Sequence, residues 1–526
     1  MKINKEKIPA VINEISGKLK GAGFEAYLVG GCVRDILRAK EPKDWDLTTN
    51  AKPEDIQALF DEDETFYEND FGTVGVKVDA ALLRSKSAAS AEQNDASQDN
   101  ADAKDKGDES DCQMQLEVPE TEIVEITPYR IEGKYSNARH PDEVIFSDRL
   151  EDDLQRRDFT VNALAYDLEE EKLVDLYGGY QDLQSGLLKA VGEAKKRFEE
   201  DALRMLRAVR LSAQLGFTIE SDTMMAIARN ADLLSKISKE RIRDEFLKII
   251  NSDQPMMALA VSQKLGLLKY IVPELEEGLA CEQGKKAHKY DVFEHLLHSL
   301  EHAANRNFKT EIRLAALFHD IGKPRSRRKK GAGYTFYGHE VIGARMVARI
   351  MKNLNMPKDL TETVVKLVRW HMFFADPDEV TLHAVRRMIR NVGKEHIQEL
   401  LCVRMCDRIG SGRPKEQPFR FRKYKAMVDE ALKDPVSVSM LKINGAKIME
   451  LGEKPGPRMG WILHALLDEV LEDPSKNTSE YLETRAKELM ELDDLKLKEL
   501  GEMGKQSKEE KEQEEIMKIY KKHKVK

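Results

Sequence analysis

LVGGCVRDIL, residues 28–37, gives the first clear signal of the fold in this 526-residue chain. The apolar start reads as a short strand, and a helix pattern begins directly after two glycines. Gly30 and Gly31 would let the backbone approach a ligand closely, and the N–H groups at a helix start favour phosphate. Arg34 lies one turn further on and can reach the same phosphates. Taken alone, the segment fits an ordinary strand-to-helix connection equally well.

The sequence around this turn predicts a sheet with helices packed on it. An amphipathic helix is expected over residues 8–22, followed by four short strands in AYLVGG, WDLTT, GTVGVKV and EIVEIT. From about Leu150 onward the apolar spacing is almost entirely helical. We therefore expect an α+β fold, in which a small mixed-sheet head precedes a mostly α-helical body.

The length of the chain predicts several domains, because single cores rarely exceed a few hundred residues. We expect a head over residues 1–165, a helical neck over 166–280, a metal-binding helical domain over 281–415 and a helical tail over 416–526. Residues 85–118 are rich in Ser, Ala and Asp and nearly lack large apolar side chains. This composition predicts a disordered surface insertion within the head.

Composition narrows the class of protein. Charged residues make up 34% of the chain and the net charge is -9, which argues against non-specific coating of nucleic acid but allows a local basic track. The five cysteines are scattered and lack zinc-ligand spacing, which favours a reducing, cytoplasmic environment. Neither a signal-peptide core nor a membrane-length apolar segment is found, so we expect no membrane partner.

Two aspartates follow the glycine turn at short range. In a strand, Asp44 and Asp46 would point to the same face, because side chains alternate along a strand. Paired carboxylates repel each other unless a cation lies between them, and this arrangement suits Mg²⁺. Glu125, on the strand predicted at EIVEIT, is the candidate for a third carboxylate, with Glu122 as its competitor.

Two charged motifs lie further along the chain. In RRDFTVNA, Arg157 could hold phosphate and Asp158 could accept a hydrogen bond from a ribose hydroxyl. In EDALR, the spacing of Glu200, Asp201 and Arg204 predicts that they share one helix face. Taken separately, each motif also fits a capped helix start or a ladder of surface ion pairs.

The order GGCVRD, DWD, RRDFTVNALAYD and EDALR resembles the head of class II nucleotidyltransferases, over roughly residues 20–275. That family contains tRNA CCA-adding enzymes and bacterial poly(A) polymerases. The resemblance implies template-independent, Mg²⁺-dependent addition of nucleotides from CTP and ATP to the 3′ end of tRNA. The residues to which it assigns catalytic or nucleotide-binding roles are Asp44, Asp46, Glu125, Gly30, Gly31, Arg34, Arg157, Asp158, Glu200, Asp201, Arg204, Arg207 and Arg210.

The resemblance also implies how these roles are divided. Asp201 and Arg204 would read the edge of the incoming base, with Glu200 holding Arg204 in place. Arg207 and Arg210 would extend toward the triphosphate or the primer. The segment YSNARHPDEVIFSDRLEDDLQ corresponds to a mobile loop that CCA-adding enzymes need to change from C addition to A addition. Its presence argues against an enzyme that adds only C, and leaves full CCA addition and terminal-A addition both open.

A separate set of histidines and aspartates predicts a second metal site in the helical body. The string LFHDIGKP with a histidine upstream resembles HD-domain phosphohydrolases. That resemblance implies four core ligands and two additional ligands of a second metal, in a site for divalent transition metals of unknown identity. The residues are His295, His319, Asp320 and Asp407, with His339 and His371 as the added pair. Such a domain could hydrolyse a phosphate ester or could only help to hold RNA.

Two alternatives to CCA addition are open at this stage. A poly(A) polymerase would share the head, but the acidic balance and the HD motif disfavour it. A metal-dependent HD phosphohydrolase with a vestigial RNA-binding head is disfavoured by the intact Asp44 and Asp46. The sequence does not decide the oligomeric state.

Overall fold

A computed structural model describes most of the chain as two compact units. The described residues are 7–61, 64–67, 72–83, 112–114, 120–132, 144–284, 289–331, 333–373, 380–435 and 437–503. The first unit comprises Met1–Leu279, Leu300–Arg313 and Ile350–Pro357. The second unit comprises Ala280–Ser299, Leu314–Arg349 and Lys358–Lys526.

The first unit contains a seven-stranded mixed sheet. Its order is β3-β4-β5-β2-β1-β8-β9, and all neighbouring pairs are antiparallel except β2 and β5, which are parallel. The strands are β1 (Tyr27–Val29), β2 (Trp45–Thr49), β3 (Thr65–Tyr67), β4 (Val74–Asp79), β5 (Thr121–Pro128), β8 (Leu164–Asp167) and β9 (Lys172–Asp175). Three two-stranded pairs are formed by β6 (Arg130–Glu132) with β7 (Val144–Phe146), β10 (Leu187–Leu188) with β11 (Thr218–Ile219), and β12 (Arg328–Lys330) with β13 (Gly333–Thr335).

The two faces of the seven-stranded sheet differ in chemistry. One face contributes Trp45, Leu47, Val124 and Ile126 to the main apolar core, onto which the helix Ala10–Gly21 packs with its buried Ile12, Ile15 and Leu19. The alternate residues of β2 and β5 point to the other face, where Asp46 and Glu125 lie. A smaller core on that second face includes Val29, Ala165 and Leu154. The apolar face thus secures the sheet and leaves the opposite face available for polar side chains.

Helices make up most of the remaining structure. The α-helices of the first half of the chain are Ala10–Gly21, Gly31–Leu37, Pro53–Gln57, Ala80–Leu83, Leu150–Gln155, Gly179–Gln184, Ala194–Glu200, Leu203–Leu215, Ser221–Asn230, Lys239–Ile250, Pro255–Lys264 and Leu268–Ile271. Those that follow are Val292–Asn305, Thr310–Phe318, Lys323–Ser326, His339–Asn353, Lys358–Trp370, Leu382–Val392, Ile397–Gly410, Phe419–Ala431, Gly445–Glu450, Pro457–Glu472, Ser479–Met490 and Asp494–Met503. Short 3₁₀ turns are Thr160–Asn162, Ala231–Lys236, Pro273–Gly278, Lys394–His396, Val438–Met440 and Pro474–Lys476. None of the described helices combines the length and apolar character needed to cross a membrane.

The predicted α+β class is confirmed, and each of the four predicted strands is found. The expectation of an almost entirely helical chain after Leu150 was wrong over Leu164–Asp167 and Lys172–Asp175, which form one edge of the sheet. LAYD has a continuous apolar start that fits a buried strand or a buried helix equally well, and pairing with β1 selects the strand. Most of the predicted insertion at 85–118, and residues 133–143 of the predicted mobile loop, lie outside the described residues.

Candidate active sites

The glycine turn lies directly against two residues of the predicted site. Gly30 has a φ of 78°, in the left-handed region that favours glycine. A Cβ atom added there would lie 3.1 Å from Arg157 Nη1 and 3.4 Å from Asp46 Oδ2. A side chain at this position would therefore crowd both groups, so the glycine keeps the space beside them open.

The strand register places two of the three predicted carboxylates side by side. Asp46 on β2 is the partner of Glu125 on the parallel strand β5, so the two side chains share a face of the sheet. Glu122 lies three residues before Glu125 on the same strand, so its side chain points to the opposite face of the sheet. Asp44 is exposed and lies just before β2, which corrects the expectation that both aspartates are within the strand.

The three predicted carboxylates of the head do not form a closed set of metal ligands. Among the described residues, the sets of three or more His, Cys, Asp or Glu ligands within 4.8 Å of one another lie in the HD cluster, and Asp44, Asp46 and Glu125 form no such set. Mg²⁺ in phosphoryl-transfer sites is commonly bound by one or two carboxylates together with substrate phosphates and waters. The donor set around Asp46 fits that pattern.

A buried carboxylate that we did not single out from the sequence positions the paired arginines. Asp153 is fully buried and accepts hydrogen bonds from the guanidinium groups of both Arg156 and Arg157. Arg157 Nη2 donates to Asp153 Oδ2 at 3.0 Å. Burial opposes ionisation of Asp153, but the two arginines hold the pKa of its carboxyl below the usual value. The i, i+3 and i, i+4 spacing in DLQRR was the available signal for this contact.

Asp158 is the centre of a buried hydrogen-bond network. Its Oδ2 accepts from Arg207 Nε at 2.8 Å, and its Oδ1 accepts from Asn162 Nδ2 at 3.2 Å. Asn162 Oδ1 in turn accepts from Arg34 Nη1 at 2.8 Å, while Arg34 also donates twice to Asp35. Burial disfavours the charge on Asp158, yet Arg207 and the Asn162 amide lower the pKa of its carboxyl to about 2. The network links the helix after the glycine turn to the predicted ribose-binding motif.

The base-reading residues lie at a break between two helices. Asp201 has extended backbone and ends the helix Ala194–Glu200, and the next helix, Leu203–Leu215, carries Arg204. The expectation that these residues share one helix face was wrong, because the helix is interrupted between them. Glu200 Oε2 still accepts from Arg204 Nη1 at 2.8 Å across this break, so the predicted orienting contact is present.

Arg204 and Asp201 are each held by further contacts. Arg204 Nη2 donates to the carbonyl oxygen of Arg156 at 2.8 Å. Asp201 Oδ1 accepts from the Leu203 N–H at 3.1 Å, and its Oδ2 accepts from Arg241 Nη2 at 2.7 Å. Arg241 was not foreseen, because it lies 40 residues away in sequence and only the packing of its helix brings it near.

Arg207 and Arg210 have separate partners. Arg207 pairs with Asp158, and this carboxylate raises the pKa of the Arg207 guanidinium above its usual value. Arg210 Nε donates to the buried Glu245 at 2.8 Å, and its Nη1 donates to Gln214 at 2.9 Å. The structure thus places Arg207 within the Asp158 network and gives Arg210 partners outside it.

All six predicted ligands of the HD motif lie in one buried cluster. His295 Nε2 and His319 Nε2 are 2.9 Å apart, and His339 Nε2 and His371 Nε2 are 3.3 Å apart. The candidate ligand sets are His295, His319, Asp320 and Asp407, and Asp320, His339 and His371. Three of the four histidines, His319, His339 and His371, lie at helix boundaries, and all four are buried.

Asp320 is shared by the two sets. Its Oδ2 lies 3.1 Å from His295 Nε2 and 3.3 Å from His319 Nε2, whereas its Oδ1 lies 3.0 Å from His339 Nε2 and 3.5 Å from His371 Nε2. One carboxylate with an oxygen in each set is the arrangement expected of a ligand that bridges two cations. Lys323 Nζ also lies 2.5 Å from Asp320 Oδ2 and donates to Gln283 at 2.6 Å.

The histidine orientations fit metal binding. The Nδ1 atoms of His319, His339 and His371 each lie 2.7–2.9 Å from a backbone carbonyl oxygen three residues earlier. Those contacts place the N–H on Nδ1 and direct the Nε2 lone pair into the cluster. Neutral imidazoles and carboxylates directed to one point form a donor set typical of divalent transition metals.

Charges within the cluster are strongly coupled. Burial disfavours the ionised forms of Asp320 and Asp407, but Lys323 beside the first and Arg404 beside the second help to hold the pKa of each carboxyl well below its usual value. Burial also opposes charge on His319, yet these carboxylates raise its pKa to about 9. Burial lowers the pKa of His371 to about 4, despite its contact with Asp320. The buried negative charge of these carboxylates therefore has to be balanced by positive charge, which protonated side chains or bound cations can supply.

Gly322 allows the HD turn to approach the helix that begins at His339. A Cβ atom at this position would overlap the carbonyl oxygen of His339 and the backbone nitrogen of Gly343. The glycine in HDIGKP therefore has a packing role, because it brings the turn bearing His319 and Asp320 to the start of the next ligand helix.

A cleft of about 1260 Å³ opens beside the cluster and includes Asp320, His339, His371 and Asp407 in its wall. Its rim carries large apolar side chains that are well exposed, namely Tyr337 at 66%, Met372 at 56% and Phe419 at 71%. The same wall carries Lys323, Arg404, Arg408, Arg413 and Arg420. The cluster is therefore reached through a cleft that combines cations with aromatic surface.

Family models match three consecutive parts of the chain. The Poly A polymerase head domain matches residues 26–115 and 88–189, and the model described as "Probable RNA and SrmB- binding site of polymerase A" matches residues 216–279. The HD domain matches residues 292–411. The three models follow one another along the chain without changing order.

Curated relatives include several CCA-adding enzymes. The enzyme of Lactobacillus helveticus is 30% identical over 496 residues, which cover 93% of this chain and 100% of the relative. The enzyme of Lactobacillus delbrueckii subsp. bulgaricus is 41% identical over 269 residues, covering 51% of this chain and 55% of the relative. A third, from Leuconostoc mesenteroides, is 38% identical over 261 residues, covering 49% of this chain and 54% of the relative. The chain thus spans about half the length of the last two relatives and the whole length of the first.

Solved structures show the same architecture. The Bacillus stearothermophilus CCA-adding enzyme in complex with CTP has a TM-score of 0.63 and 26% identity, covering 90% of this chain and 95% of that chain. The Thermotoga maritima CCA-adding enzyme complexed with tRNA has a TM-score of 0.52 at 16% identity, covering 93% of this chain and 99% of that chain, which is a similarity of fold.

The mixed-sheet head with its following helical domain defines a class II nucleotidyltransferase that also carries an HD domain. The match along the full length of the Lactobacillus helveticus relative identifies the family within this class. The chain belongs to the CCA-adding enzymes, a family of tRNA nucleotidyltransferases.

Proposed function

We propose that this protein adds CCA, or its terminal A, to the 3′ end of tRNA without a nucleic-acid template, using CTP and ATP. The observation that carries the proposal is the pairing of Asp46 with Glu125 across parallel strands, beside Gly30, where an added Cβ would crowd Arg157 and Asp46. Family membership supports the same reaction. A cytoplasmic location is part of the proposal, because the substrate would be tRNA.

In this proposal, Asp44, Asp46 and Glu125 would hold Mg²⁺. Two such ions, when bound, would supply activation of the primer 3′-hydroxyl and charge stabilisation of the leaving pyrophosphate. Arg157, held by Asp153, would bind phosphate beside the metal-binding carboxylates, and Arg34 would act from the helix after the glycine turn. Both arginines are oriented by protein carboxylates, so their positions are set before the nucleotide arrives.

Base choice would rest on Asp201 and Arg204. A carboxylate offers acceptors and a guanidinium offers donors, so the two side chains can match the hydrogen-bonding edge of cytosine or adenine. Glu200 and the Arg156 carbonyl hold Arg204 in one orientation, and Arg241 does the same for Asp201. Asp158, whose carboxyl stays ionised beside Arg207, would accept from the ribose hydroxyl. Arg210, which pairs with Glu245, would act nearer the primer.

The test is an addition assay with tRNA that lacks its last three nucleotides, and with tRNA that lacks only the terminal A. Labelled CTP and ATP are supplied with Mg²⁺, and products are resolved at single-nucleotide length. Addition of three nucleotides to the first substrate supports full CCA addition, and extension of the second substrate alone supports terminal-A addition. A long A tail would instead indicate a poly(A) polymerase. Asp44→Ala should abolish addition, and His319→Ala should leave it within a few-fold of wild type.

A second activity, metal-dependent phosphohydrolysis in the HD domain, is supported by the buried cluster in which Asp320 contributes one oxygen to each ligand set. Bound divalent metals would supply a lowered pKa for an attacking water and charge stabilisation at phosphorus. Lys323, which contacts Asp320 at the cleft wall, would add positive charge next to the substrate phosphate.

This second activity can be measured independently of the first. Bis(p-nitrophenyl) phosphate and p-nitrophenyl phosphate are offered to the full-length protein loaded in turn with Mn²⁺, Ni²⁺ or Zn²⁺. His319→Ala should abolish hydrolysis, whereas Asp44→Ala should retain it. Loss of hydrolysis in Asp44→Ala would contradict the assignment of two separate sites, and no hydrolysis with any metal would indicate a purely structural HD domain.

A further inference from the structure

The cleft beside the HD cluster is larger than a simple phosphate monoester requires. Clefts that hold drug-sized ligands have volumes of about 300–1,000 Å³, and a single nucleotide falls within that size range. The HD cleft measures about 1260 Å³. Its volume therefore leaves room for more than one nucleotide when a phosphate is at the metal ligands.

The charge on the cleft wall extends beyond what the metal ligands require. Arg404 pairs with Asp407, so it belongs to the cluster itself. Arg408 Nε donates to the backbone carbonyl of Lys415 at 2.5 Å instead of to a carboxylate. Arg413 is exposed and has no ion-pair partner within the described part of the chain. A second anionic group located away from the metal cluster would complement this side of the cleft.

The apolar surface of the same cleft suits aromatic bases. Tyr337, Met372 and Phe419 are each more than half exposed and all line the cleft. Large apolar side chains that converge on one cleft are uncommon on a surface without a binding role. Base stacking on aromatic side chains is worth about 1–3 kcal/mol per base and tolerates any base, because every base has a π-face.

We propose that the HD cleft binds a single-stranded oligonucleotide of two or more nucleotides, with one phosphodiester at the metal cluster, the next phosphate at Arg408 and Arg413, and a base stacked on Phe419 or Tyr337. This inference rests on the proposed hydrolase function and specifies its substrate class. In the hydrolytic step, a water oxygen forms a bond to phosphorus and the bond from phosphorus to the leaving ribose oxygen breaks. The proton lost by the water is taken up by that leaving oxygen, so the products are a phosphomonoester and a hydroxyl.

Binding is the first test, because it does not depend on turnover. Fluorescence anisotropy would follow fluorescein-labelled 2′-O-methyl phosphorothioate oligonucleotides, which resist hydrolysis, of one, two, four and six residues, with the full-length protein loaded with Mn²⁺. We expect affinity to increase at least tenfold from one to four residues. The double variant Arg413→Ala/Phe419→Ala should weaken tetramer binding at least fivefold. Arg345→Ala is the matched control, since Arg345 is an exposed arginine of the same unit that does not line the cleft.

Hydrolysis is the second test, with unmodified RNA and DNA tetramers as separate arms and p-nitrophenyl phosphate as the small substrate. We expect kcat/KM at least tenfold higher for a tetramer than for p-nitrophenyl phosphate. The double variant should raise KM for the tetramer by a larger factor than it changes KM for p-nitrophenyl phosphate. If only the RNA tetramer or only the DNA tetramer is cleaved, the result identifies whether the cleft accepts ribose or deoxyribose and still supports the proposal.

The two tests separate the two possible failures. Cleft-dependent binding without hydrolysis of any substrate would contradict the hydrolase function and support the ligand class. Hydrolysis of p-nitrophenyl phosphate with no preference for the tetramer, together with unchanged tetramer binding in the double variant, would overturn the ligand class and leave the hydrolase function in place.

Discussion

Arg241 Nη2 donates a hydrogen bond to Asp201 Oδ2 at 2.7 Å, which ties the proposed base-reading carboxylate to a neighbouring helix. The contact is a charge-assisted pair between partly buried side chains, and such bonds contribute about 1.5–3 kcal/mol. Asp201 lies in an interruption between two helices, where its backbone is extended, and its other side-chain oxygen accepts from the Leu203 N–H. Arg241 is therefore a positioning residue for Asp201.

Arg241→Gln should raise KM for CTP and ATP by about tenfold. Loss of the hydrogen bond that orients Asp201 would weaken nucleotide binding by about 1.4 kcal/mol. The value of kcat should change much less, since the catalytic carboxylates are untouched. Steady-state kinetics with each nucleotide would measure this, with UTP and GTP incorporation as a measure of fidelity. Arg243→Gln, on the same helix but paired with Asp244, should behave like wild type. Equal effects of the two substitutions would contradict a specific role for Arg241.

Glu125→Gln should reduce nucleotide addition by about 100-fold or more, because Glu125 shares a sheet face with Asp46. Glu122→Gln is the matched control, since Glu122 lies on the same strand but points to the opposite face of the sheet. Its activity should stay within about threefold of wild type. Addition rates at saturating CTP and increasing Mg²⁺ would compare them. A larger loss in Glu122→Gln would show that Glu122, and not Glu125, acts together with Asp46.

The ion pair between Asp158 and Arg207 predicts a pH-dependent contribution to stability. The pKa of Asp158 is lowered in the folded protein to about 2 from its usual 3.8, so the ionised form is favoured by folding. Its contribution, about 2 kcal/mol, is fully present above about pH 4 and is lost as the pH falls toward 2. The free energy of unfolding of Asp158→Asn should therefore lie below that of wild type at pH 6 and approach it below pH 3.

Urea unfolding followed by tryptophan fluorescence at pH 6, 4 and 2.5 would measure this difference. Asp232→Asn is the control, because Asp232 is exposed and its side chain has no hydrogen bond or ion pair with the residues that the structure describes. That variant should match wild type at each pH. A pH-independent difference for Asp158→Asn would show that the loss comes from packing and not from ionisation.

Metal stoichiometry should depend on which ligand is removed from the HD cluster. Asp320 contributes an oxygen to both ligand sets, whereas His371 belongs to one. Asp320→Asn should lose both metals, and His371→Ala should retain one of two. Metal content after loading and desalting, measured by inductively coupled plasma mass spectrometry, would test this. Retention of both metals in Asp320→Asn would contradict the shared role of this carboxylate.

Gly322→Ala should destabilise the HD domain and lower its metal content, because the added Cβ would overlap the His339 carbonyl. Overpacking of this kind typically costs about 1–3 kcal/mol. Gly333→Ala is the control, since a Cβ there would meet no atom within 4 Å. Thermal unfolding with and without metal would compare them. A Gly322→Ala protein with the Tm and metal content of wild type would show that the turn adapts without moving its ligands.

Much of this protein was determined by local sequence patterns. The strand and helix flanking Gly30 and Gly31, the pair Asp44 and Asp46, and the string around His319 could all be interpreted from a few consecutive residues. Alternation along a strand, helical spacing and the freedom of glycine are properties of the chain itself, so they act before any tertiary contact forms. The α+β class followed from these patterns, and the six candidate HD ligands followed from the resemblance of the string around His319 to HD-domain phosphohydrolases.

The tertiary structure decided what depends on residues distant in sequence. The register of β2 with β5 placed Glu125, and not Glu122, on the same sheet face as Asp46, and helix packing brought Arg241 to Asp201. Residues Leu164–Asp167 form strand β8 because they pair with the backbone of β1. The shared position of Asp320 between two ligand sets also appeared only when five chain segments met. Each of these outcomes rests on non-local packing and backbone pairing, which local spacing cannot specify because many partners satisfy the same local pattern.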